Sequence, residues 1–146
     1  MRQLSREGGG ERPLTSATAG PELLRAKIVL KECPGRVRKG ERLKVVALCE
    51  NTGQSLWLSK PRPFGGYVTF GVKILTPTGR LLDDTRGRQC LAEDVPPGGR
   101  IEVVSKVSLE GYEAGRYRVL FDMVNEQVHW FQYTGAEVVE QWLEIV

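Results

Sequence analysis

From Leu23 onward the chain runs in short stretches where apolar and polar residues alternate, each closed by a turn signal. Ala26, Ile28 and Leu30 alternate with Lys27 and Lys31 until Cys33-Pro34-Gly35, and Leu43, Val45, Ala47 and Cys49 share one phase until Asn51-Thr52-Gly53. Val68, Phe70, Val72 and Ile74 form a third run that ends at Pro77-Thr78-Gly79, and Arg80–Asp83 is placed to pair back as a short edge. Beyond Pro96-Pro97-Gly98-Gly99, one face collects Ile101, Val103, Val107 and Leu109. A strand entered from Gly115 collects Tyr117, Val119, Phe121 and Met123, with Arg118 and Asp122 as polar alternates. The last run, Val138 to Val146, sets Val139, Leu143 and Ile145 against Glu140, Trp142 and Glu144. Period-two alternation is the signature of strands buried on one face. Runs at this spacing predict an all-β, antiparallel β-sandwich of about seven to eight strands, with an open barrel as the alternative. Lys60–Gly66 (KPRPFGG) carries two prolines and two glycines and reads as an exposed loop.

The 146 residues suit one domain. Residues 1–21 lack apolar periodicity and contain a glycine triplet, so they read as a disordered tail or linker, leaving 22–146 as the sandwich domain. No apolar run of 7–15 residues follows Arg2 and Arg6, so no secretory signal is expected, and no 18-residue apolar stretch is present for a transmembrane helix. Net charge is only +3, but residues 1–60 hold 12 Lys/Arg against 6 Asp/Glu while residues 110–146 hold 2 against 7. A basic face for phosphate and ordinary solvated strand positions both fit the first part; the small net charge argues against nucleic acid. Cys33, Cys49 and Cys90 are odd in number and widely spaced, with no metal-binding spacing. They suit a reducing, cytoplasmic setting, with Cys49 a small core residue.

Catalytic chemistry is sparse. His129 is the only histidine, and it lies between Val128 and Trp130 with no nucleophile at suggestive spacing. The pairs Asp83-Asp84 and Glu93-Asp94 lack the alternating spacing of a calcium loop and read as turn residues. Gly8-Gly9-Gly10 has no strand before it and no helix after it, so no phosphate loop or cofactor motif is expected. The densest aromatic and polar cluster is at the end of the Tyr117 strand: Trp130, Tyr133, His129, Asn125 and Glu126, with Phe64 and Tyr67 as extensions. Aromatic faces stack on sugar rings and neighbouring amides and carboxylates fix orientation, so these five are the candidate ligand-binding residues. The competing reading sends Trp130 or Phe131 inward, and Trp57 with it, as core.

Three segments carry a family resemblance. ENTGQSLWL (50–58) resembles the N-x-G-x-x-x-W segment of bacterial Ig-like accessory domains. LAEDVPPGGRIEVVSKVSL (91–109) is similar to their L-x-x-D-V-x-P-G turn and the strand after it, and AGRYRVLFDMVNEQVHWFQYTG (114–135) to their closing motif. Leu58 and Ala92 stand where those domains often have proline. Tyr117, shortly after a turn, also fits the tyrosine corner of Ig-like sandwiches. Such domains sit beside glycosyltransferases and methyltransferases or follow the ATPase of polysaccharide exporters, where they bind glycan. The resemblance implies a non-catalytic binding module for carbohydrate or a surface-glycan intermediate. A protein-docking scaffold, using a sheet edge or the basic first sheet, is the alternative, and an enzyme using His129 and a loop carboxylate comes third.

Overall fold

The computed structural model describes residues 14–20, 23–134 and 138–146, without the side chains of 133 and 134. Ten strands form two sheets. The first has three strands, β1 (Ala26–Glu32), β3 (Arg42–Asn51) and β7 (Arg100–Ser108), in the order β1-β3-β7 with antiparallel pairing throughout. The second runs β2 (Arg36–Val37), β10 (Val139–Ile145), β8 (Gly115–Asn125), β4 (Val68–Leu75) and β5 (Leu81–Asp83). Two short strands extend it: β6 (Gln89–Cys90) pairs with β4, and β9 (His129–Trp130) pairs with β8. All pairings are antiparallel except β2 with β10, which is parallel. The chain is an all-β, Ig-like sandwich, as the alternation and the resemblance predict, with ten strands among the described residues rather than seven to eight because β2, β6 and β9 are two-residue pairings too short to show a period.

Each phase read from the sequence becomes an inner face. Leu43, Val45, Ala47 and Cys49 of β3 and Ile101, Val103 and Val107 of β7 face Val68, Phe70, Val72 and Ile74 of β4. Val119, Phe121 and Met123 of β8 and Leu143 and Ile145 of β10 complete the core. Phe70 and Phe121 stack with centroids 6.2 Å apart, and Trp57 meets Phe131 edge-on at 5.8 Å. The Tyr117 hydroxyl donates to the Glu113 carbonyl at 2.6 Å, which is the tyrosine corner, pinning the turn that enters β8. Cys33, Cys49 and Cys90 are free thiols.

Side-chain amides and hydroxyls tie the loops at one end. Asn51 is fully buried; its Nδ2 donates to the carbonyls of Ser55 (2.8 Å) and Val95 (2.9 Å), and its Oδ1 accepts from the Gly53 N–H. Trp57 and Val95 exchange backbone hydrogen bonds, and the Asp94 carboxylate accepts from the Ser59 N–H and hydroxyl. Asp94 is therefore a turn anchor, as is Asp83, which accepts from the N–H groups of Thr85 and Arg86. The 50–58 and 91–99 motifs are one knot seen from its two strands.

The expected tail reaches too far along the chain. Residues 1–13 and 21–22 lie outside the described residues, but residues 14–20 belong to the folded unit. Ser16 is buried: its N–H donates to the Leu56 carbonyl, its hydroxyl donates to the Gly66 carbonyl and accepts from the Leu58 N–H, and its carbonyl accepts from Asn125 Nδ2. The segment is held by hydrogen bonds to loop backbone rather than by apolar burial, so hydrophobic periodicity carries no trace of it.

Replacing Asn51 with Ala removes the side-chain partner of the Ser55 carbonyl and of the Gly53 N–H and one of the two donors to the Val95 carbonyl. It is expected to lower stability by roughly 2–4 kcal/mol, since each buried group left without a partner costs about 1–3 kcal/mol. Chemical denaturation of the N51A variant against the parent checks this; an unchanged midpoint would show that the knot is dispensable.

Candidate binding surface

The aromatic corner predicted to bind ligand is packed into the fold. Val124 and Trp130 are register partners, and both point to the outer side of the second sheet. The indole lies across β8 onto β4, where a Cβ built on Gly71 would be 2.6 Å from its Cη2 and Cζ3 atoms. Gly71 is the space the ring occupies. Lys73 Nζ is 4.4 Å from the indole centroid and Arg88 Cζ 5.0 Å, so two cations border the ring. Trp130 retains only 9% of its surface and Phe131 none.

The polar members of the predicted site are committed as well. Glu126 accepts from Arg88 Nη1 at 2.7 and 3.0 Å and from the Thr69 hydroxyl at 2.6 Å, while Arg88 Nη2 donates to the Asp84 carbonyl. Asn125 is buried and donates to Ser16. Its register partner is His129, whose two ring nitrogens are buried with no hydrogen-bond partner among the described residues. The Tyr133 side chain lies outside the described residues. The structure thus brings Asn125, Glu126, His129 and Trp130 together, but as the cover of β8 rather than as an open surface. A hairpin that turns back over its own strand buries what period-two reading leaves outside.

Asp122 shows the same effect. Its alternation places it on the outer face, opposite Gly71, yet Trp130 and the residues after it leave it 1% exposed. The carboxylate accepts from the Met123 N–H (2.9 Å) and the Gln132 N–H (2.7 Å), clamping the chain that follows Trp130 onto the sheet. Burial pushes its pKa up to about 7, against the pull of those two donors and of the Lys73 charge. Burial also raises Cys49 to about 12 and Cys33 to about 11, so neither is an activated thiol. Among the described residues, no three His, Cys, Asp or Glu side chains are grouped to hold a metal.

The exposed aromatic side chains are elsewhere. Phe64, 93% exposed, stands in the proline loop, which fits the expected exposure of that loop. Trp142 is 44% exposed on the outer face of β10, opposite Arg118 of β8. The Arg116 guanidinium lies 4.2 Å from its ring centroid. Arg118 forks onto Glu140 at 2.6 and 2.8 Å, holding that carboxyl below its ordinary range, and Arg36 of β2 forks onto Glu144 at 3.0 and 2.9 Å. The outcome is a flat indole on a paired strand, bordered by two Arg–Glu forks and one further guanidinium. This arrangement can stack against a planar apolar face and offer directed polar contacts at its rim. Trp142 was visible in the sequence as an aromatic in the polar phase of the last strand; the residues around it come from three separate strands, so spacing could not assemble them.

No protein-family model matches the chain, and no curated protein matches it in sequence. Solved structures share its fold. The CARDB domain of a Pyrococcus furiosus protein, solved in complex with di-metal ions, aligns over 98% of this chain and 100% of its own with a TM-score of 0.52 and 12% identity. The C-terminal domain of wzt aligns over 83% of this chain and 73% of its own, with a TM-score of 0.54 and 14% identity.

Two outcomes follow from the packing around Trp130. Gly71→Ala forces the indole off the sheet and is expected to destabilise by about 1–3 kcal/mol, the usual range for overpacking, with a changed tryptophan emission as the signature of the displaced ring. For Asp122 the folded chain holds a proton that the unfolded chain has released above its ordinary pKa near 4, so this group makes stability fall as pH rises from about 4 to about 7. Asp122→Asn should flatten that slope; melting curves across this pH window that keep the parent's slope would count against it.

Proposed function

We propose that the chain is a non-catalytic binding domain that takes carbohydrate on the outer face of β8 and β10, with Trp142 as its platform. The observation that carries this reading is the exposed indole on a paired strand, with Arg116 against it and the Arg118–Glu140 and Arg36–Glu144 forks on either side. Sugar rings present an apolar face to aromatic planes and hydroxyls to charged side chains, and this surface supplies both without rearrangement. The Ig-like fold and the accessory-domain motifs of the sequence support a binding role rather than a catalytic one. Three free thiols support the cytoplasm as the location.

A second reading, docking of a protein, draws on the other sheet. Val29 and Val104 are exposed on the outer face of β1 and β7. They are register partners of Leu48 and Val46 on β3, so an apolar stripe crosses all three strands. Among the described residues, β1 and β7 each pair in the sheet ladder with β3 and form its two edges, one on either side of that stripe.

Trp142→Ala is expected to abolish oligosaccharide binding on an array and in calorimetry, while shifting Tm by about 2 °C or less, because the residue is exposed. Oligosaccharide binding unaffected by W142A would overturn the assignment of the site. A partner protein whose binding is lost on Val29→Lys with Val104→Lys, in a chain that binds no sugar, would replace the first reading with the second.

A further inference from the structure

The Trp142 surface carries one cation more than its own ion pairs use. On β8, β10 and β2 the outer side chains around the indole include three guanidinium groups, Arg36, Arg116 and Arg118, and two carboxylates, Glu140 and Glu144. Arg118 is taken by Glu140 and Arg36 by Glu144. Arg116 is opposite Glu144 in register, but Glu144 turns to Arg36, and Arg116 stacks on Trp142 with no carboxylate partner among the described residues. Both acidic groups on the face are therefore neutralised in place, and the uncommitted charge is the one beside the aromatic ring.

Resting on the carbohydrate reading above, we propose that this surface selects acidic oligosaccharides: Trp142 stacks on a sugar ring and Arg116 takes the carboxylate, sulfate or phosphate that the ring carries. A guanidinium presents parallel N–H donors that match such oxyanions in a two-pronged contact, and its stacked position costs little side-chain entropy to hold. One uncommitted guanidinium beside one exposed indole fits a single charged sugar unit. Nucleic acid needs a run of cations spaced along a backbone, and the face lacks one.

Calorimetry with the whole chain and three probes of matched length tests this: an uncharged glucan, a uronic-acid oligosaccharide and a sulfated oligosaccharide. The acidic probes are expected to bind more tightly than the glucan. Raising salt from about 50 to about 300 mM should weaken only the acidic probes, because exposed charges are screened. The preferred acidic probe identifies the anionic group. Arg116→Gln is expected to weaken the acidic probes by about tenfold, as loss of one surface charge-assisted contact would, so that their preference over the glucan disappears, and to leave Tm unchanged. Arg116→Lys should restore part of the loss. Equal affinity of the parent for all three probes, with W142A abolishing each, would sink the acidic selectivity and leave the carbohydrate reading standing. A single-stranded oligonucleotide that binds more tightly than any sugar and depends on Arg116 would overturn the inference in favour of nucleic acid.

Discussion

Strand β8 is buried on both sides over its C-terminal half, residues 121–125, and much of the molecule is arranged to achieve that. Its inner face inserts Val119, Phe121 and Met123 between the sheets, where aliphatic and aromatic contact supplies the core. Its outer face would leave Asp122 and Val124 in water were it not for the return of the chain at β9, which lays Trp130 over Gly71. The indole fits because β4 offers a glycine at that point, an aromatic filling the gap that a missing side chain leaves in a sheet. Lys73 and Arg88 then border the ring, and Glu126 holds Arg88. Residues dense in functional groups are thus spent on covering one strand.

The loop end is built on a similar economy with polar groups. Asn51, Asp94 and Ser16 each satisfy backbone groups on segments far apart in the chain, so three short side chains replace the ladder hydrogen bonds that loops lack. This gives the accessory-domain motifs a physical reading: their asparagine, aspartate and tryptophan close the end of the sandwich. Such a knot specifies the fold and is silent on the ligand, which is why motif likeness and a common fold with the CARDB domain and the C-terminal domain of wzt speak to architecture alone.

The binding role proposed above falls to surface that the fold does not need. The Trp142 face is attached to β10, whose inner residues Leu143 and Ile145 are core, so its backbone is held while its outer side chains are free to vary. Stability and binding are separated by the two sides of one strand. The corner around Trp130 lacks that separation, because a change there disturbs packing before it could alter a ligand.

The alternation of residues and the turn signals along the chain were enough to assign the all-β class, the inner faces of the long strands, the proline loop, the turn position of Tyr117 and the core position of Cys49. These are local properties, set by a period of two and by turn chemistry at each end. Which outer faces stay wet is a different kind of quantity. It depends on which strands become neighbours and where a hairpin folds back, and those are contacts between residues far apart in sequence. For that reason Trp130 reads as a binding residue and Trp142 only as an outer position of the last strand, and only the tertiary structure makes the first a lid and leaves the second exposed. For the same reason Ser16 reads as tail and behaves as part of the fold: its hydrogen-bond partners at Leu56, Leu58, Gly66 and Asn125 are met only after the chain has closed.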